Sequence, residues 1–339
     1  MQKNIILADC EYEEIVDFVR GLKKETNDDY VCECKELTNH GWYNNLYRYL
    51  MYFIFPMKFF LCRSQYNYIL GWQQFFVLLF AGYCRLFHVK KENKVIAMNF
   101  TYKKKNGVVG CIYDAFMMFC VKNSYLDYIH VLSYNYASYC TKELKIPREK
   151  IIVTPFGLPD TYEQWKNSKV SYKNFWFSIG RSNRDFQFLV DAWRKMPLNE
   201  LLIIASDTFT PKGVLPDNVI HRTDISGDDQ FPYIANCKGM IIPIKDGNVC
   251  SGDTVLLKAM SYKKAVVVTK PSTLAEMYID DNINGILVEK NEDDFCKKIK
   301  ALTDNCFRLK DLGENARIKY QEKYSRFQMG KSIGKQIYN

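Results

Sequence analysis

Six short apolar runs in the second half of the chain restrict its fold more than any other feature. They are "FWFSIG" (175–180), "ELLIIAS", "NVIHRT", "KGMIIPI", "KAVVVTK" and "NGILVEK". Each is too short for a helix and lacks the apolar–polar alternation of a strand wet on one side, so each reads as a strand buried on both faces. Helical stretches lie between them. In "RDFQFLVDAWRKM", Phe186, Leu189, Val190 and Trp193 fall at i, i+3, i+4 and i+7, one face of a helix. Further helices are expected around 228–236, 253–262 and 273–279, and everything from Glu292 onward reads as helical. The first half repeats the pattern, with strands at "NIILAD", "YNYILGW", "NKVIAMNF", "YIHVLS" and "KIIVTPFGLPD" and the helix "EEIVDFVRGLKK" after the first. Alternation of this kind specifies an α/β protein built on parallel sheets.

At 339 residues the chain exceeds what a single core usually holds, so two domains are expected. The polar stretch 161–173 reads as the hinge between a domain over 1–160 and one over 174–323. In parallel α/β folds ligands bind beyond the carboxyl ends of the strands, and two such domains place a cleft there. Functional residues are therefore sought on loops that follow strands.

One such loop is "KDGNVCSGD", which runs into the helix "TVLLKAM". Ser251 or Asp253 is a suitable N-cap, and Val255, Leu256, Ala259 and Met260 form the apolar face below. Gly252 permits close approach to backbone N–H groups that carry the positive end of the helix dipole, an arrangement suited to a diphosphate. Taken alone, "SGD" reads equally well as an ordinary capped helix. A second loop, "SIGRSNRD", follows the first strand of the same domain. There Gly180 precedes Arg181 and Arg184, two guanidiniums able to fork onto phosphate oxygens. The bland alternative pairs Arg184 with Asp185 on a solvated turn.

Charge is unevenly spread. Between His40 and Tyr125 there are eleven Lys or Arg and two acids, which accounts for the whole net charge of +9. The same region is rich in aromatics, 17 in the 46 residues from Trp42 to Phe87. Cations interleaved with rings suit an anionic membrane surface; nucleic acid is the other taker, and a packed core with a solvated basic face fits equally. The uncharged run Ser64–Cys84 is 21 residues long, but Gln65, Asn67, Gln73 and Gln74 interrupt it. It is expected to lie on a membrane rather than span it. Twelve cysteines without a Cys-x-x-Cys pair, and four histidines, argue against zinc and for a reducing compartment. No secretory signal is read at the amino terminus, so a cytoplasmic location is expected. No Gly-x-Gly-x-x-Gly follows the first strand of either half and no Gly-x4-Gly-Lys-Ser/Thr is present, which argues against dinucleotide dehydrogenases and P-loop enzymes.

From about Lys150 onward the chain resembles the donor half of GT-B-fold glycosyltransferases, in particular the glycosyltransferase 4 family and its bacterial polysaccharide relatives. The pieces that carry the resemblance are "KIIVTPFGLPD", "SIGRSNRDFQFLVDAW", "SGDTVLLKAMSYKKAVVVTK" and "LAEMYIDDNINGILVE". In the first half, "YILGWQQFFVLLFAGYCRLF" and "VLSYNYASY" are similar to the acceptor half of such enzymes. The resemblance implies two Rossmann-like, doubly wound domains facing a cleft, with C-terminal helices whose last, 324–339, crosses back to the first domain. It further implies a nucleotide-diphosphate sugar, UDP favoured, with Arg181 and Arg184 facing the diphosphate and Gly252, Asp253 and Thr254 capping it. Glu276 becomes a candidate for contact with the donor sugar.

One departure stands out. The family commonly carries two glutamates eight residues apart, the second of which accepts hydrogen bonds from the ribose. Those positions are Cys250 and Lys258 here, and a lysine has no acceptor. Lys258 either adds charge against the diphosphate or faces solvent. With no Asp-x-Asp motif, no metal or other cofactor is expected. Asp9, Glu11 and His40 are the candidates for deprotonating an acceptor hydroxyl. The implied partners are a lipid-linked or oligosaccharide acceptor and the anionic inner face of the membrane, which Lys103, Lys104 and Lys105 would touch; no nucleic acid is expected. A non-catalytic partner of a true transferase, and a sugar-nucleotide epimerase, are the alternative readings.

Overall fold

All strand pairs in the computed structural model are parallel, and they form two six-stranded sheets. The structure describes residues 2–37, 42–102, 104–247, 249 and 251–338. His40, Lys103 and Cys250, which the sequence singles out, lie outside the described residues. The chain divides into one unit of Met1–Phe156 with Arg326–Asn339 and another of Gly157–Ser325.

The first unit runs β1 (Lys3–Ala8), α1 (Tyr12–Thr26), β2 (Tyr30–Cys34), α2 (Trp42–Leu61), β3 (Tyr66–Gly71), α3 (Gln74–Leu86), β4 (Lys94–Ala97), α4 (Gly107–Val121), β5 (Tyr128–Val131), α5 (Tyr134–Lys142) and β6 (Ile151–Val153). Its strand order is β2-β1-β3-β4-β5-β6. Alternate residues feed two cores. Ile5, Leu7, Ile69 and Val95 meet residues of α2 to α5 on one face, while Ile6, Leu70 and Ile96 meet α1 and the last helix on the other.

The second unit contains α6 (Tyr162–Trp165), β7 (Phe175–Ile179), α7 (Phe186–Trp193), β8 (Leu201–Ala205), β9 (Val219–Arg222), α8 (Gln230–Asn236), β10 (Gly239–Ile242), α9 (Asp253–Ser261), β11 (Ala265–Lys270), α10 (Thr273–Tyr278), β12 (Ile286–Glu289), α11 (Glu292–Thr303) and α12 (Cys306–Lys319). Its order is β12-β11-β10-β7-β8-β9. The chain thus builds outward from β7 to β9, then returns to build β10 to β12 on the other side. The reversal falls between β7 and β10, where such sheets leave a crevice for ligand.

A π-helical turn, Tyr320–Tyr324, ends α12, and α13 (Arg326–Tyr338) then joins the first unit. Met329, Ile333 and Ile337 enter its core. Close packing on α1 depends on small residues: a Cβ on Gly330 would meet the Phe18 carbonyl oxygen at 2.1 Å, and one on Gly21 the Phe327 carbonyl oxygen at 1.9 Å.

Three details differ from the sequence reading. β2, "YVCEC", was not anticipated; it is a half-exposed edge strand without an apolar run. Segment 161–173 is packed rather than free: Trp165 stacks on Phe231 at 5.6 Å, and the adjoining Asp160 pairs with Arg317 at 2.7 Å. Finally, the uncharged run 64–84 divides at Gly71-Trp72 into a strand, β3, and a helix, α3, as its sequence indicates, but it does not lie on a surface: α3 buries Phe76, Val77, Leu78, Leu79 and Phe80.

Candidate functional site

The loop after β7 and the loop after β10 meet at the reversal of the second sheet. Asn183 joins them: its side-chain nitrogen donates to the Asp246 carbonyl (2.9 Å) and to Ser251 Oγ (3.0 Å), and its oxygen accepts from the Asp246 amide (2.9 Å). The Asp185 amide donates to the Pro243 carbonyl at 2.8 Å, which closes the same seam one step on.

Arg184 occupies the seam itself. A Cβ on Gly180 would stand 2.8 Å from Arg184 Nε, and a Cβ on Gly252 would stand 3.0 Å from Arg184 Nη2. The guanidinium therefore lies between two glycines, where an added Cβ on either would press on it. Gly252 is also the N-cap of α9, with φ at +99°, a conformation that favours glycine. This corrects the expectation of a capping Ser251 or Asp253. Among the described residues no side chain caps α9, so its first-turn N–H groups keep the helix dipole's positive end open beside Arg184. Ser251 instead accepts from Asn183.

The electrostatics of Arg184 are unusual for an arginine. Its Nη1 donates to the Ser182 carbonyl at 3.1 Å, while Nε is buried without a hydrogen-bond partner among the described residues. Burial pulls its pKa down to about 10, opposed by the charge of Asp253. The expected alternative, a solvated pair with Asp185, is not formed; Asp185 caps the Phe188 amide and pairs with Lys290 at 3.1 Å. Burial raises the Asp253 carboxyl above the ordinary carboxylate range, against hydrogen bonding from Tyr278, and its Oδ1 also lacks a partner among the described residues. A buried cation with an unmet donor beside an open helix terminus is an arrangement that an anion completes.

Arg181 and Arg184 line one cavity of about 440 Å3 together with Asn183, Thr208, Lys212 and Lys245. Arg181 is exposed at the rim, forked onto Asp207 at 2.9 and 3.0 Å. Lys212 and Lys245 were not singled out from the sequence, although Lys245 lies three residues beyond β10, in the loop itself. A larger cavity of about 650 Å3 opens at the opposite, amino-terminal ends of the strands, beside Asn174, Glu200, Lys238 and Lys264. There Glu200 already holds Lys238 at 2.8 Å and Thr303 at 3.2 Å, so its polar groups satisfy one another. The smaller cavity is the better site because the Arg184 guanidinium there keeps a donor without a partner among the described residues.

The remaining candidates in the second unit are placed less centrally. Thr254 is exposed in the first turn of α9. Lys258 neither lines the cavity nor faces open solvent: its Nζ lies 4.9 Å over the Phe231 ring, on an aromatic column that includes Trp165 and Tyr262, and burial lowers its pKa. Glu276 is exposed in the first turn of α10, two residues from Leu274, whose Cδ1 would meet a Cβ on Gly252 at 2.8 Å.

In the first unit the strand order reverses between β1 and β3, and Asp9 sits there. Its Oδ2 accepts from Gln73 Nε2 at 2.6 Å, and Gln73 in turn caps α3 through the Phe75 amide. Glu11 is exposed at the N-cap of α1 and makes no capping bond with its side chain. Lys104 and Lys105 are exposed just before α4.

Residues 175–305 match the family model described as glycosyl transferases group 1. An uncharacterized glycosyltransferase of Methanocaldococcus jannaschii, MJ1178, is 27% identical over 160 residues, which cover 45% of this chain and 44% of that protein. The match thus spans less than half of that curated relative. Among solved structures, Anabaena HepE in complex with UDP superposes with a TM-score of 0.66 at 12% identity, covering 99% of this chain and 100% of that one. Sucrose-phosphate synthase from Thermosynechococcus elongatus gives 0.67 at 13% identity, over 99% and 98%. At such identities the likeness is one of fold. Residues 175–305 are therefore a domain of the group 1 glycosyltransferases, within a chain that has the GT-B fold.

Proposed function

We propose that the protein transfers a sugar from a nucleoside-diphosphate donor, with UDP favoured, onto a glycan acceptor. The observation that carries this reading is the buried guanidinium of Arg184, short of a partner and set beside the uncapped terminus of α9. A departing diphosphate supplies the missing negative charge, and preorganised donors stabilise it as the glycosidic bond breaks. Arg184 and the α9 amides perform that role without a metal ion, and Arg181 joins by exchanging Asp207 for phosphate. The complexes of HepE with UDP and with UDP-glucose support uracil as the base. Asp9, Glu11 and His40 are kept as candidates for deprotonating the acceptor. The acceptor is proposed to be lipid-linked and to serve cell-surface polysaccharide assembly at the cytoplasmic face of the membrane.

A thermal-shift panel of UDP, GDP, dTDP and CMP tests the donor claim, since a ligand that binds only the native state raises its melting temperature. A shift confined to UDP supports the reading, and a flat panel removes it. The flat result favours a non-catalytic partner of a transferase, the reading that Lys258 at the ribose-contacting position encourages. Turnover of a sugar nucleotide without any acceptor favours an epimerase.

A further inference from the structure

We infer that α2 and α4 present a single apolar face that seats on an anionic lipid surface. This deepens the membrane-linked part of the proposed function, yet it stands on the first unit alone and does not depend on the donor site. On α2, Tyr43, Leu46, Leu50, Ile54 and Leu61 are between 51% and 73% exposed. They fall at i, i+3, i+7, i+11 and i+18, one continuous stripe along the helix. The opposite side of α2 enters the core through Phe55, Phe59 and Phe60. The helix is therefore apolar on both sides while only one is covered by protein. On α4, Val108, Val109 and Ile112 are 78%, 76% and 65% exposed. The two stripes join where Phe53 meets Phe116, with ring centroids 6.3 Å apart. Between α2 and α3 the face dips into a hollow of about 440 Å3 lined by Phe53, Ile54, Met57, Leu61 and Tyr83, with Lys58 at its edge. Soluble surfaces rarely leave so much contiguous apolar area uncovered without a partner.

Charge decides which partner. The region 40–125 carries eleven cations and two acids. One of those acids, Asp114, is occupied by the Tyr102 hydroxyl at 2.5 Å. Lys104 and Lys105 stand at the α4 end of the face, and Lys58 on its flank. A second copy of this chain would bring like charges together around the apolar contact. An anionic headgroup layer instead pairs with the cations while the aliphatic side chains enter the acyl boundary, each cation strengthening attachment about fivefold. No helix among the described residues is long and apolar enough to cross a membrane, so the contact is interfacial.

Flotation of the full chain with phosphatidylcholine vesicles, with and without phosphatidylglycerol, tests this. Binding is expected only when phosphatidylglycerol is present. The double variant Leu50→Ser with Ile54→Ser is expected to lower it about tenfold or more, and Lys104→Glu with Lys105→Glu to remove the preference for anionic lipid. Val214→Ser, at an exposed position of the second unit, is the control and leaves binding unchanged. All these side chains are exposed, so folding is preserved, and the UDP thermal shift, measured in parallel, separates a failure here from a failure of the donor site. Absence of binding to anionic vesicles, or equal binding by the serine variant, overturns the inference. So does a wild-type dimer in sedimentation that the serine variant dissociates, because a second copy then covers the face.

Discussion

Replacing Arg184 by methionine should separate stability from binding in opposite directions. In the ligand-free protein the guanidinium is held in a place that disfavours charge: burial draws its pKa from 12.5 to about 10. The folded state therefore carries the charged form at a cost of at most about 3 kcal/mol at neutral pH, at ~1.4 kcal/mol per pH unit. Methionine removes that cost and fills much of the same space between Gly180 and Gly252. Against it stand the lost hydrogen bond to the Ser182 carbonyl and some lost packing, about 1 kcal/mol each. The net expectation is a variant more stable by about 1 kcal/mol, a rise in Tm of roughly 1–2 °C for a protein of this size. Affinity for UDP moves the other way, because charge-assisted hydrogen bonds to the diphosphate, worth about 1.5–3 kcal/mol, disappear and binding falls ~10- to 100-fold. Thermal denaturation of wild type and variant, each with and without UDP, reads both effects at once. A variant that melts below the wild type and still responds fully to UDP would refute the assignment of Arg184 as an unsatisfied anion receptor.

Other expectations follow from neighbouring parts of the structure. His130 is wholly buried, with Nε2 set against Thr154 and Nδ1 accepting from the Asn99 amide, and burial lowers its pKa from 6.5 to about 4. The unfolded chain takes up that proton first, so its contribution, about 3 kcal/mol, is complete above pH 6.5 and is lost as pH falls toward 4. Urea denaturation across that range should show the slope in wild type, and His130→Gln should flatten it. Arg317, nearly buried, forks onto Asp160 at 2.7 and 2.9 Å and donates to the Ser261 carbonyl at 2.8 Å. Arg317→Met removes both hydrogen bonds to the part-exposed Asp160 carboxylate and the one to Ser261, and should cost about 1–2 kcal/mol in chemical denaturation; no measurable loss would mean the pair is effectively solvated. Gly330→Val forces side-chain atoms into the Phe18 carbonyl and should destabilise by about 1–3 kcal/mol or more, visible as a lower Tm with UDP affinity retained.

Much of this was legible in the residues themselves. The central strands of the second unit, β7, β8, β10 and β11, were read from their apolar runs because both faces of each are covered, which leaves no polar alternation to confuse the period. The convergence of the two loops was suggested by their shared place after strands of one domain, with Arg181 and Arg184 on one and Ser251 to Thr254 on the other, and Gly180 and Gly252 are found to flank Arg184. What escaped was whatever depended on packing at a distance. β2 is an edge strand with little apolar character. The polar stretch 161–173 concealed Tyr162 and Trp165, which are held by residues some seventy to a hundred and fifty positions onward. Lys258 was weighed as a diphosphate contact or a solvent-facing residue; that its Nζ lies over the Phe231 ring could not be read, because that ring lies on another helix. Within the basic, aromatic region 40–125, the uncharged run 64–84 is interior, while the exposed apolar face lies on α2 and α4.

Isothermal titration of the full chain with UDP and, separately, with uridine tests the central claim most directly. If the cavity at the β7–β10 reversal is built to hold paired phosphates, UDP binds at one site per chain and uridine binds at least ~100-fold more weakly, since the charge-assisted contacts of Arg184 and the α9 amides are made only to the diphosphate. Equal affinity for the two, or no heat with any nucleoside diphosphate, would contradict the account.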